Sequence, residues 1–240
     1  MQSVLKRDYI ILAGDCVASG KLGIPRAFDI FMDIASENAE ALGNGIGAMM
    51  ARGLYWTAVK TRLRFHRRPG LMERVAVSTW PEAPGRLRND RHYLLTQGDE
   101  TLVTGKTEWA IVDFKNGGLH SPRELVYPEA VEFSAERPDN SPFHRFRDGA
   151  PWEAFGSYTV RSTDIDLGGH MNNVAYVRLI AGLFRVSDWN ALPLREVEAH
   201  YRASCYEGDS LALQKRTAED GALELRALSG EDLIFLARLK

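Results

Sequence analysis

The sequence predicts an α+β chain made of two copies of one unit, a helix wrapped by an antiparallel sheet. Three observations carry this. An amphipathic helical segment near the start is followed by a run of strand-like segments. The same order restarts after a polar, proline-containing stretch. Placing Phe65 over Tyr201 also brings Glu73, Val75 and Val77 over Asp209, Leu211 and Leu213, so that ERVAV returns as DSLAL.

The first unit opens with a short apolar strand over 9–13, closed by the Gly14-Asp15 turn signal. Residues 23–43 read as a helix, with Pro25 suited to its first turn and Gly43 placed to end it. Phe28, Phe31, Ile34, Ala35, Asn38, Ala39 and Leu42 recur at helical spacing and form its apolar face. LYWTAVKTRLRF, ERVAVSTW, RHYLLTQ and VTGKTEWAIVDF follow, β-branched and aromatic, separated by RPG, EAPG and QGDE. Residues 134–156 lack periodicity and read as a surface linker. This gives a first unit over 1–133 and a second over 157–240. In the second, GSYTVRS is a strand and NNVAYVRLIAGLFRVSDW a helix with Tyr176, Ile180 and Leu183 on one side. VEAHYRAS, DSLALQKRT, ALELRALS and LIFLARL supply four more strands. Two such units can pair edge to edge, and a seam between packed units is a common place for a small-molecule pocket.

Bulk properties remove several function classes. A net charge of −2 excludes a typical nucleic-acid-binding domain, which would be strongly basic. The apolar run YIILA is too short for a signal-peptide core or a membrane span, and no other segment comes closer. Cys16 and Cys205 form neither a disulfide framework nor a CxxC pair, so a cytosolic placement is expected. The histidines show no metal-ligand spacing. No metal and no cofactor are expected.

The segment DIDLGGHMNN, residues 164–173, joins the first strand of the second unit to its helix. As a polar helix entry, Asp164 and Asp166 would make Asx turns, Gly168 and Gly169 would supply positive φ, and Asn172 or Asn173 would cap the helix. That account leaves His170 unexplained. The matching ASGKLGIPRA of the first unit has the glycine and the helix start but neither a carboxylate pair nor a histidine.

The pattern D-x-D-x-x-x-H-M-N-N-x-x-Y resembles the D-x-D-x-N-x-H-V-N-N-x-x-Y signature of acyl-carrier-protein (acyl-ACP) thioesterases of plants and bacteria, and the resemblance covers most of the chain. It implies a double hotdog fold and hydrolysis of acyl-ACP to a fatty acid and free carrier. It also implies Asp166 as the essential carboxylate, His170 as its partner and Asp164 as a loop-holding residue. Gly168 stands where the family has Asn. The family's later acidic position falls on Ser204, on Cys205 or, a little further on, on Glu207. A lone Cys on an apolar strand is more often a packed hydrophobe than a nucleophile. Backbone donors around Gly168, Gly169, Asn172 and Asn173 are the expected oxyanion hole.

The resemblance further implies an acyl slot between helix and sheet of the first unit, lined by Phe28, Phe31, Met32, Ala35, Trp56 and Ala58. The carrier is acidic, so the basic runs KTRLRFHRR and RLRNDR are candidate docking positions. A monomer or a homodimer is compatible with the duplication. An acyl-CoA thioesterase, a non-catalytic acyl-thioester binder and a hydratase on the same fold are the competing readings.

Overall fold

In the computed structural model, which describes residues 2–192 and 194–240, the chain forms two compact units, Met1–Ser141 and Pro142–Lys240. The division falls inside the polar segment 134–156. In unit 1 the order is β1 (Leu5–Ile10), α1 (Ile24–Ala41), α2 (Ile46–Ala51), β2 (Leu54–Phe65), β3 (Arg74–Pro81), β4 (Arg88–Gln97), β5 (Glu100–Asp113) and the short β6 (Leu119–His120). Its strands pair antiparallel as β1-β3-β4-β5-β2, with β6 on β5. Unit 2 repeats the plan with β7 (Glu153–Thr159), α3 (Asn173–Gly182), α4 (Val186–Ala191), β8 (Glu196–Tyr201), β9 (Ser210–Thr217), β10 (Leu223–Ser229) and β11 (Asp232–Leu239). Its order is β7-β9-β10-β11-β8, the same path through equivalent strands.

α1 forms because its apolar residues fall on one stripe. Gly23 is its N-cap, Pro25 lies in the first turn, and Gly43 at φ +75° carries the chain out of the helix. Phe28, Phe31, Ile34, Ala35 and Asn38 are buried against the sheet. Phe31 stacks on Tyr93 of β4 at 5.0 Å, directly over Gly105 of β5. A Cβ on Gly105 would lie 2.7 Å from Leu63 and 3.0 Å from Phe31, so glycine there is what lets the ring reach the sheet. A bulge between Ala58 and Lys60 resets the alternation of β2, keeping Trp56, Ala58, Thr61 and Leu63 in line with Ile111, Trp109, Thr107 and Gly105 of β5. In unit 2, Tyr176 of α3 stacks on Phe235 of β11 at 4.9 Å.

The opposite sheet faces carry charge. In unit 2, Glu198, Arg238, Glu224 and Arg216 lie abreast on β8, β11, β10 and β9, all buried. The segment leading into β7 covers them: the His144 N–H donates to Glu198, the His144 ring meets Glu224, and Arg216 donates to the Arg147 carbonyl. Trp152 lies under the Arg216 and Arg226 guanidinium groups. In unit 1, Asp139 holds Arg62 and Arg64 in the same manner. The polar linker is thus tied down by ion pairs.

Some boundaries differ from the sequence reading. The first strand is Leu5–Ile10, not 9–13, because the Asp15 carboxylate takes the Leu12 N–H and turns the chain at 13–15. The second helix is two helices, since the chain breaks after Gly182 and restarts at Val186. β7 begins at Glu153, inside the expected linker, and α2 and β6 were not foreseen. β8 ends at Tyr201, short of Ser204. Among the described residues no helix is long and apolar enough to cross a membrane.

Glu224 accepts from Arg216 at 2.8 Å in a buried setting, so its removal strands a guanidinium away from water. Glu224→Ala is expected to lower stability by about 3–5 kcal/mol, read from the urea midpoint.

Candidate functional site

The DIDLGGHMNN segment forms a tight turn. Ile165 bridges Met171, the Asp166 N–H donates to the His170 carbonyl at 2.9 Å, and the Gly169 N–H returns to the Asp166 carbonyl at 3.0 Å. Gly169 sits at φ +77°, a conformation that favours glycine. Asp164 holds this turn from below. Its carboxylate accepts from the Tyr158 hydroxyl and the Arg161 N–H, both at 2.8 Å, and its carbonyl accepts from the Asn172 N–H. Asn172 is the N-cap of α3, taking the Val174 N–H at 2.8 Å.

Unit 1 contains the same turn, bond for bond. Asp15 accepts from the Tyr9 hydroxyl and the Leu12 N–H, and its carbonyl takes the Gly23 N–H. Cys16 bridges Leu22, the Val17 N–H donates to Lys21, the Gly20 N–H returns to Val17, and Gly20 has φ +70°. Asp15 and Asp164 therefore do the same structural work. What the second copy adds lies at the two flanking positions, where Val17 and Lys21 are replaced by Asp166 and His170.

Those two side chains converge because they face each other across the base of the turn. A Cβ built on Gly168 would lie 3.1 Å from Asp166 Oδ1 and 3.3 Å from His170 Nδ1. The Gly168 N–H donates to Asp166 Oδ1 at 2.8 Å, and the other carboxylate oxygen has no hydrogen bond among the described residues. Asp166 is exposed, while His170 is half-buried with its ring against Tyr206 at 5.2 Å. The absent side chain at Gly168 leaves open the space both groups face.

The expected oxyanion donors are mostly engaged. Gly168 donates to Asp166, Gly169 to the Asp166 carbonyl, and Asn172 to Asp164. The Asn173 N–H, in the first turn of α3, has no acceptor among the described residues, and it lies at the positive end of the helix.

Cys205 is not placed as a reactive group. It has no exposed surface, and burial pushes its thiol up, against a smaller lowering from the neighbouring Tyr176 hydroxyl. Its carbonyl accepts the Met171 N–H, so its role is to anchor the turn. Ser204 and Glu207 are exposed on the same connection. Tyr206, not anticipated from sequence, is the residue of this segment that meets His170.

Of the acyl-slot candidates, Phe28, Phe31, Ala35 and Ala58 are buried and Met32 and Trp56 half-buried in unit 1. Trp56 packs on a cluster of Met49, Leu54, Ile111 and Leu125, and its ring meets Trp109 edge-on. Several side chains of the basic runs are held by partners within unit 1. Arg62 is buried on Asp139, and Arg91 is buried beneath α1. Arg67 binds Glu73 and Glu100, and Arg88 and Lys60 both bind Glu108.

The family model for the acyl-ACP thioesterase N-terminal domain matches residues 2–127, and that for the C-terminal domain matches residues 152–232. The acyl-[acyl-carrier-protein] hydrolase FATB3 of Cuphea viscosissima is 24% identical over 226 residues, 87% of this chain and 54% of that protein. Oleoyl-acyl carrier protein thioesterase 1 of Arabidopsis thaliana is 20% identical over 244 residues, 94% of this chain and 67% of that protein. The chain thus spans roughly half to two-thirds of the length of these chloroplastic relatives. An acyl-ACP thioesterase from Bacteroides thetaiotaomicron matches with TM-score 0.82 and 19% identity, covering 99% of this chain and 97% of its own. The 12:0-ACP thioesterase from Umbellularia californica matches with TM-score 0.83 and 18% identity, covering 99% and 96%. The fold is a double hotdog.

Burial pushes the Asp15 carboxyl up, but hydrogen bonds from Arg26, the Leu12 N–H and Tyr9 outweigh it and hold the group below the usual carboxylate range. A depressed carboxyl stabilises the fold above the unfolded-state value of about 3.9, and the contribution fades as pH falls through the folded-state value. Asp15→Asn is expected to cost about 1.5–3 kcal/mol near neutral pH. Urea titrations below about pH 4 should show the deficit shrinking.

Proposed function

Because the chain belongs to the acyl-ACP thioesterase family, we propose that it hydrolyses acyl-ACP to a fatty acid and free carrier, with Asp166 and His170 performing the chemistry. One observation carries the assignment of residues. Two loops share the same backbone hydrogen bonds, and only the second places a carboxylate and an imidazole around one open space. A turn needed for structure alone is already complete with Val17 and Lys21.

A thioester is cleaved when water adds to its carbonyl carbon and the thiolate departs. The Gly168 N–H fixes Asp166 Oδ1, leaving the solvent-exposed second oxygen to take a proton from water. Negative charge then grows on the carbonyl oxygen, and the Asn173 N–H at the start of α3 is the donor placed to meet it. Collapse of the tetrahedral species expels the thiolate, to which His170 delivers a proton. Tyr206 against the imidazole limits the ring's freedom. A thiolate leaves readily, so the acid contributes less than the base. The acyl tail, in this account, lies beneath α1 of unit 1.

The purified chain should release free thiol from acyl-ACP. Asp166→Ala should lower kcat by at least about 100-fold, and His170→Ala by less, with both variants unfolding at the parent temperature. Full activity in folded Asp166→Ala would refute the assignment. Faster turnover of acyl-CoA than of acyl-ACP would move the substrate class to CoA thioesters.

A further inference from the structure

Beneath α1, unit 1 buries a group of polar side chains, and two of them, the Tyr93 hydroxyl and the Trp109 indole N–H, close no hydrogen bond. Arg91 of β4 is 8% exposed, and no carboxylate lies within ion-pair distance of it among the described residues. Its guanidinium donates to Asn38 Oδ1 of α1 at 2.6 Å and to Thr79 Oγ1 at 3.2 Å. Two residues along the same strand face, Tyr93 has no exposed surface. Its hydroxyl lies beside Thr107 and Trp109 of β5, yet neither that hydroxyl nor the Trp109 indole N–H closes a hydrogen bond. The Thr107 hydroxyl lies 3.0 Å from that of Thr61.

Register places these groups together. Arg91 pairs with Thr107, and Trp109 pairs with Ala58. The Trp56 and Phe31 rings flank them. Helix-to-sheet packing in a hydrocarbon slot calls for apolar side chains at such positions, because a buried donor without an acceptor opposes folding. Burial also pushes the Tyr93 hydroxyl up, so it remains a donor throughout the neutral range.

We infer that the acyl slot beneath α1 takes a chain carrying an acceptor oxygen remote from the thioester, received by the Tyr93 hydroxyl, the Trp109 N–H and the Arg91 guanidinium. This rests on the proposal that the acyl tail occupies that slot. A site of this kind discriminates strongly, because the unsubstituted analogue leaves its buried donors unpaired.

The test is calorimetric binding of free acids to the full chain. Probes are dodecanoic acid, dodecanedioic acid, and hydroxydodecanoic acids with the hydroxyl at the terminal carbon or at successive positions inward. At least one oxygenated acid should bind about tenfold or more tighter than dodecanoic acid. Tyr93→Phe and Trp109→Phe should each reduce that ratio. Success with the dicarboxylic acid alone would assign the oxygen as a carboxylate meeting Arg91, and success with a hydroxyl as an alcohol meeting Tyr93. A ratio at or below one for every probe, or one unchanged in both variants, would overturn the inference. Hydrolysis of unsubstituted acyl-ACP, measured on the same samples, separates the two proposals. If it persists while the ratio fails, only the oxygen preference falls. If neither binding nor hydrolysis occurs, both fall.

Discussion

The fold turns on one carboxylate used twice. Asp15 and Asp164 each gather a tyrosine hydroxyl and a backbone N–H, and each offers its carbonyl to the residue that starts the helix. The strand is thereby tied to the helix through a hydrogen-bonded turn. Because backbone and one side chain hold that turn, the positions flanking it are free to carry other chemistry. In unit 1 they hold Val17 and Lys21; in unit 2 they hold Asp166 and His170. A rigid scaffold with a variable pair on it is how a duplicated unit acquires a site without losing its fold.

The two units share a charged covered face and differ beneath the helix. In unit 2 the charged row Glu198, Arg238, Glu224 and Arg216 lies on the face covered by the segment before β7, while the helix side is filled by Tyr176, Tyr201 and Phe235. In unit 1 the covered face is also charged, through Arg62 and Asp139, but polar groups appear beneath the helix as well, at Asn38, Arg91 and Tyr93. Buried charge is seldom a source of stability. Among the described residues, buried charge beneath the helix is seen in unit 1, at Arg91.

Much of this was legible from the residues. The stripe from Phe28 to Leu42 and the alternation in ERVAV and DSLAL specify helix and strands through periodicity alone, and the matched order specifies duplication. His170 stood out because it has no work in a turn, and the family resemblance is what paired it with Asp166. Other features needed coordinates. Arg62 and Arg91 look like surface charge in sequence, since their burial depends on distant Asp139 and Asn38. The kinship of Asp15 with Asp164 was hidden because the loop around Asp15 lacks the second carboxylate. Tyr206 gave no signal, as its contact with His170 is made across separate segments.

The most direct measurement replaces Asp166 by Val and His170 by Lys together, giving the second turn the flanking residues of the first. Thermal unfolding and acyl-ACP hydrolysis would be followed on one preparation. The account predicts an unfolding temperature close to the parent's and no detectable release of thiol. Hydrolysis at the parent rate by that folded double variant would contradict it.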